Sequence, residues 1–184
     1  MTAADEHREV AAGFTARVLG AADWDAPTPV AGWTARDVVR HLVTWPREFL
    51  ESRGLPSLPA APSVDDDPVA AWVAHAEAVQ ALLESPAAGE PFEDPHLGAK
   101  LLGALISQIY TADVFMHTWD LARATGQDER LDPDRCAGML AGMEPIEDAM
   151  RASGHYGPRV DVPPDADAQT RLLGFIGRDP DWRP

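Results

Sequence analysis

The sequence predicts an all-α fold, a bundle of four main helices with extra short helical segments, on three observations. Apolar residues recur at helical rather than strand spacing along most of the 184 residues. Proline and glycine gather in a few stretches, "DWDAPTPVAGW" and "GLPSLPAAPSV" among them, and these separate the periodic segments. Small side chains, mostly alanine, dominate a composition that is 45% hydrophobic but only 7% aromatic, which suits close helix packing.

The first helix is expected over residues 3 to 22, where Val10, Phe14 and Val18 recur every fourth residue and Asp5 and Glu6 lie near the positive end of the dipole. Residues 23 to 33 carry two prolines and a glycine and read as a loop. Thr34 followed by Asp37 resembles a capping box that opens the second helix, "TARDVVRHLVTWPREFL", in which Pro46 predicts a kink or an early end. A proline-rich connection over 54 to 64 leads to Asp67 and Pro68, an N-cap with proline at the first helical position. The third helix then runs to about Ser85 and buries Val69, Trp72, Val73, Val79 and Leu83.

After "PAAGEPFEDP" the longest helix is expected from Leu97 to Thr125, stopped by Gly126. Asp132 and Pro133 start a fifth, running to about Ala152 with a kink at Pro145. The remainder, about 154 to 184, reads as an irregular tail packed on the bundle, with a short helix near 167 to 176. The whole of residues 1 to 184 is expected to form one domain.

Thirty acidic residues against fifteen basic ones give a formal charge of −15, which opposes nucleic acid and anionic membrane surfaces. The sequence has one cysteine, no basic start followed by an apolar run, and no stretch long enough to span a bilayer. The expected setting is the cytoplasm, and the expected partner a small-molecule substrate. No G-x-S-x-G, Walker or G-x-G-x-x-G run occurs.

Chemistry enters through "YTADVFMHTWDLARATG", residues 110 to 126. At 100° per residue, Leu102, Ile106, Ile109, His117 and Asp120 all fall within roughly 40° of Asp113, so three ionisable groups extend a core-facing stripe. A buried carboxylate needs a partner or a cation. Asp113 and His117, at i and i+4, can offer an oxygen and an imidazole nitrogen to one ion, and they can equally form an ordinary hydrogen-bonded pair. A third ligand would come from another helix. His41 is the best placed, within about 60° of Val38 and Trp45 and opposite Arg36, Arg40 and Arg47. Asp37, one turn earlier, is a candidate to orient His41. Asp120 has three readings: it orients His117, it orients a ligand, or it bonds to a tryptophan indole.

The segments "GWTARDVVRHLV" and "DVFMHTWDLARATG", together with the terminal "GRDPDW", resemble the DinB/YfiT-like metal-binding four-helix bundles. The resemblance is to the branch related to the mycothiol-dependent maleylpyruvate isomerase N-terminal domain, in particular its short uncharacterised members. It implies a frequently dimeric bundle holding a divalent metal, zinc first and nickel second, through His41, Asp113 and His117 in an open coordination sphere. Where the family pattern carries glutamate, Asp113 is one methylene shorter. The resemblance further implies a metal-dependent thiol transferase or isomerase, with mycothiol as cosubstrate and Asp37 and Asp120 as supporting or proton-handling groups. The competing reading is a non-catalytic bundle that binds a metal or a small ligand.

The remaining candidates read as structural. His7, His75, His96 and His155 are expected on solvated faces or loops, His75 least firmly because its helix also faces the bundle. Cys136 reads as a small buried residue. Trp45 and Trp119 are placed to border the site, and Arg123 either pairs with a nearby acidic residue or balances the helix C-terminus from the surface.

Overall fold

The computed structural model describes residues 1–94 and 97–184. Reciprocal capping boxes start the first two helices. Thr2 and Asp5 exchange bonds ahead of α1 (Ala3–Gly20), and Thr34 and Asp37 do the same ahead of α2 (Ala35–Ser52). Each box satisfies backbone N–H groups that the first turn leaves without partners. Pro46 does not end α2, which continues to Ser52 with the proline buried in its interior. Asp67 caps α3 (Pro68–Glu84) through Ala70 N–H at 2.9 Å, with Pro68 at the first position.

The longest predicted helix starts later than its composition suggests. Two strands precede it, β1 (Pro91–Asp94) and β2 (Gly98–Leu101), paired antiparallel as a hairpin with Phe92 opposite Lys100. Gly98 turns the chain with φ +73°, a conformation only glycine adopts without strain, and Leu102 N–H closes the hairpin onto Glu90 O at 2.9 Å. The helical path then runs as α4 (Leu102–Ile106), a π segment (Ser107–Thr111) and α5 (Ala112–Ala124). Gly126, at φ +67°, ends it as expected, with Gln127 N–H reaching back to Ala122 O at 2.9 Å.

Residues 133 to 152 carry the break expected at Pro145: α6 (Pro133–Met143), a 3-10 turn (Glu144–Ile146), then α7 (Glu147–Ala152). The last helix is α8 (Ala168–Phe175), capped by Asp167. In the bundle α1 packs against α3 and α5, and α2 against the same two, so α1 and α2 lie on one diagonal and α3 and α5 on the other. Phe14 and Trp72 meet at 4.4 Å in the middle of the core, and the Trp72 indole donates to Thr15 Oγ1 at 2.8 Å. The outlying α6 and α8 pack on each other. The described residues therefore form the all-α, DinB-like bundle that the sequence predicts, with one small two-stranded sheet. No helix among them is long and apolar enough to cross a membrane.

The chain after α8 turns sharply at Gly177, which has φ +85°. A Cβ there would stand 2.9 Å from Pro158 O. Gly177→Ala combines the left-handed penalty with that clash, so a loss of about 2 kcal/mol is expected. Urea denaturation of the two proteins measures it.

Candidate metal centre

Three of the groups named from the sequence come together between α2 and α5. One ligand-type atom from each of His41, Asp113 and His117 lies within 4.8 Å of the other two. His41 Nε2 is 2.9 Å from Asp113 Oδ2, and His117 Nε2 is 3.5 Å from Asp113 Oδ1. A tetrahedral ion with ligands at about 2.0–2.1 Å sets its donors roughly 3.4 Å apart, so the three groups match such an ion with small side-chain adjustments. The cluster grades from buried to open: side-chain exposure is 6% at His117, 19% at Asp113 and 29% at His41. The cluster is therefore most open to solvent on the His41 side.

The surroundings fix each group. Trp45 donates its indole N–H to Asp113 Oδ2 at 2.9 Å, so it borders the site as expected. Trp119 is fully buried, with Arg123 lying 5.0 Å over its ring. Trp33, part of the sequence motif but assigned no role from it, stacks on His117 at 5.7 Å and 16° and meets His41 at 5.0 Å. Gly32, at φ +78°, turns the loop immediately ahead of Trp33 and the Thr34 cap.

Burial pushes the Asp113 carboxyl upward, but the neighbouring His117 and His41 imidazoles more than offset this and leave it below the usual carboxylate value. Burial likewise pushes His117 down, and Asp113 with Asp120 outweighs it and raises the imidazole. The Asp120 carboxyl follows the Asp113 pattern, lifted by burial and brought below its ordinary value by His117 and Arg178.

Of the two aspartates expected beside His41 and His117, Asp120 meets its histidine. Asp120 Oδ2 lies 2.8 Å from His117 Nδ1, and Arg178 forks onto the same carboxylate at 2.9 and 3.0 Å. A charged carboxylate only accepts, so this bond places a proton on Nδ1, and in the neutral imidazole the lone pair is then on Nε2, facing Asp113. Asp37, by contrast, uses both oxygens away from His41. Its Oδ2 accepts from the Thr34 N–H at 2.9 Å and the Thr34 hydroxyl at 2.7 Å, and its Oδ1 accepts from Arg40. The residue that completes the cap is committed to the helix start.

Two histidines expected at the surface are buried. His7 is 1% and His75 2% exposed. His7 lies one turn before Val10 and Ala11 on the inner stripe of α1, and His75 lies between Trp72 and Val79 on that of α3. His7 Nδ1 pairs with Gln80 Oε1 at 2.8 Å. Burial pushes His75 down to about 4. His155 is exposed, and His96 lies outside the described residues. Cys136 is fully buried, and burial lifts its thiol to about 11, so the helix start does not activate it. Arg123 takes the paired alternative, meeting Glu129 at 2.6 Å.

The chain is 29% identical over 154 residues to uncharacterised proteins of Mycobacterium tuberculosis strains CDC 1551 and H37Rv, covering 83% of this chain and 83% of each relative. No solved structure gives a significant match. The family model described as the mycothiol maleylpyruvate isomerase N-terminal domain matches residues 3–122, which span the capped start of α2, His41 and the whole Asp113–Asp120 run, and the chain belongs to that family.

Proposed function

We propose that the chain binds one divalent cation through His41 Nε2, a carboxylate oxygen of Asp113 and His117 Nε2, and that it acts as a metal-dependent enzyme of the thiol transferase or isomerase type. Zinc is the first choice of ion and nickel the second, since an N2O donor set suits both. Mycothiol is the cosubstrate that the family suggests. The observation that carries this reading is the convergence of the three ligand atoms within 4.8 Å, with one side open.

A bound cation would lower the pKa of a thiol, or polarise a carbonyl oxygen, reaching the site. The chain's own groups do the rest. Trp45 holds the Asp113 carboxylate by an N–H bond, Asp120 holds the His117 tautomer, and Trp33 covers one face of the imidazoles and keeps bulk water from it. The small-molecule substrate enters from the exposed His41 side.

Elemental analysis of protein purified without chelator is expected to give one zinc or nickel per chain. His41→Ala and His117→Ala are expected to lose the ion while keeping the helical circular dichroism. Thiol-conjugation assays on a panel of electrophiles then separate the two halves of the reading. Metal-dependent turnover supports the enzyme, and a stoichiometric ion without turnover on any electrophile makes the chain a binding module.

A further inference from the structure

The tail after α8 reaches the metal centre through Arg178. Arg178 lies beyond residue 122, where the family match ends, and its Nε and Nη2 bond to Asp120 Oδ1 at 2.9 Å and Oδ2 at 3.0 Å. Asp120 is 1% exposed at its side chain and Arg178 17%. The backbone aims the arginine in two ways. Gly177 reverses the chain with a positive φ, and Arg178 N–H bonds to Leu173 O at 2.9 Å, which ties the turn to α8. Arg123 of α5 then holds the next part of the tail through Pro180 O at 2.9 Å.

An ion pair is a costly way to anchor a tail. A buried pair often stabilises no more than an apolar pair of equal volume, because both charges lose their water. What the pair does that an apolar contact cannot is keep a carboxylate charged and still beside His117 Nδ1. The fork uses one lone-pair direction on each Asp120 oxygen, so the carboxylate cannot rotate away from the imidazole. Without the guanidinium, the fork that keeps the Asp120 oxygens in register with Nδ1 is gone, and the carboxylate can turn away from the imidazole. The Nδ1–H tautomer then loses its support.

We propose that Arg178 is a positioning residue of the metal centre. Through Asp120 it fixes His117 with the proton on Nδ1 and the Nε2 lone pair toward Asp113, so the C-terminal tail, outside the matched domain, sets the affinity for the ion. This rests on the metal-binding reading above.

The test uses the full chain in two states. In the metal-free protein at alkaline pH, long-range proton–nitrogen NMR of the imidazoles is expected to show His117 as the Nδ1–H tautomer. Arg178→Gln is expected to mix the two tautomers. In zinc titrations against a chromophoric chelator, Arg178→Gln is expected to weaken binding about 10-fold or more, and Arg178→Lys, which keeps the charge but not the fork, by less. Arg123→Met removes the other tail anchor without touching Asp120, and zinc affinity is expected to stay within about 3-fold of wild type.

An unchanged tautomer and affinity in Arg178→Gln overturn the proposal, as does an equal loss in Arg123→Met, which makes the tail a passive cover. If Arg178→Gln does not fold, Arg178→Lys with the wild-type tautomer and affinity overturns it, since the fork would then be dispensable. A wild type that takes up no zinc overturns the metal-binding reading, and the tautomer measurement still decides the role of Arg178.

Discussion

Asp113→Asn is expected to weaken zinc binding by more than about 100-fold, a larger effect than the roughly 10- to 100-fold that loss of an outer partner usually costs. The substitution preserves shape and keeps an oxygen for the Trp45 indole and for His41, both of which stand at 2.9 Å from Oδ2. It removes the negative charge that touches both imidazoles, and a cation between two neutral nitrogens and an amide is poorly compensated. The helical content is expected to survive, because the core around Phe14, Trp72 and Leu105 does not depend on the carboxylate. Competition titration and circular dichroism measure the two properties. Equal affinities would show that the ion binds elsewhere.

Between pH 6.5 and 4 the metal-free protein is expected to lose about 3 kcal/mol of stability through His75 alone. Burial depresses the folded imidazole from 6.5 to about 4, and each unit corresponds to about 1.4 kcal/mol. The unfolded chain takes up the proton first as the pH falls, so unfolding gains below 6.5 and the loss is complete once the pH passes about 4. His7 is depressed in the same direction, also mainly by burial, and adds to the loss. Asp113 and Asp120 are lowered, so their contribution is present above the unfolded carboxylate value and goes only as the pH falls below it. His117 is raised, and its contribution is full below 6.5 and lost as the pH rises through its folded value. His75→Leu is expected to flatten the stability profile between pH 6.5 and 4. Urea denaturation at stepped pH measures it, and a wild-type profile already flat over that range contradicts the burial of His75.

The boundaries marked by local chemistry were legible. Thr34 with Asp37, Asp67 with Pro68, and Gly126 each act within one turn, and the chain obeys them. The hairpin was hidden because Gly98, Ala99 and Lys100 carry no strand pattern, and what forms it is a glycine turn and a bond from Leu102 to Glu90. The π segment was hidden too. A uniform 100° step carries Ile109 into the core, whereas Ile109 is only half-buried and its neighbours Tyr110 and Thr111 are buried, because a π turn advances fewer degrees per residue. His41, Asp113 and His117 were readable because helical phase determines which side chains face inward, and Asp113 and His117 sit after the phase change, on one regular helix.

Second partners were harder to read, because they depend on competition and on distant chain. Asp37 had a nearer use in its own cap. Arg178 reaches Asp120 from 58 residues away, and nothing in the helix pattern announces the pair. Trp33 sits in a loop, where periodicity gives no direction. For His7 and His75 the signal was present, since both fall on apolar stripes at i±3 and i±4 from core residues, and the polarity of the side chain masked it.

The proposed function requires one ion between α2 and α5. Anomalous diffraction at the zinc edge from crystals of the full chain grown with zinc tests it most directly. One strong peak per chain is expected, about 2.0–2.2 Å from His41 Nε2, an Asp113 oxygen and His117 Nε2, with open positions on the His41 side. A peak held by other residues, or His41 and His117 bonded only to Asp113 at saturating zinc, would contradict it.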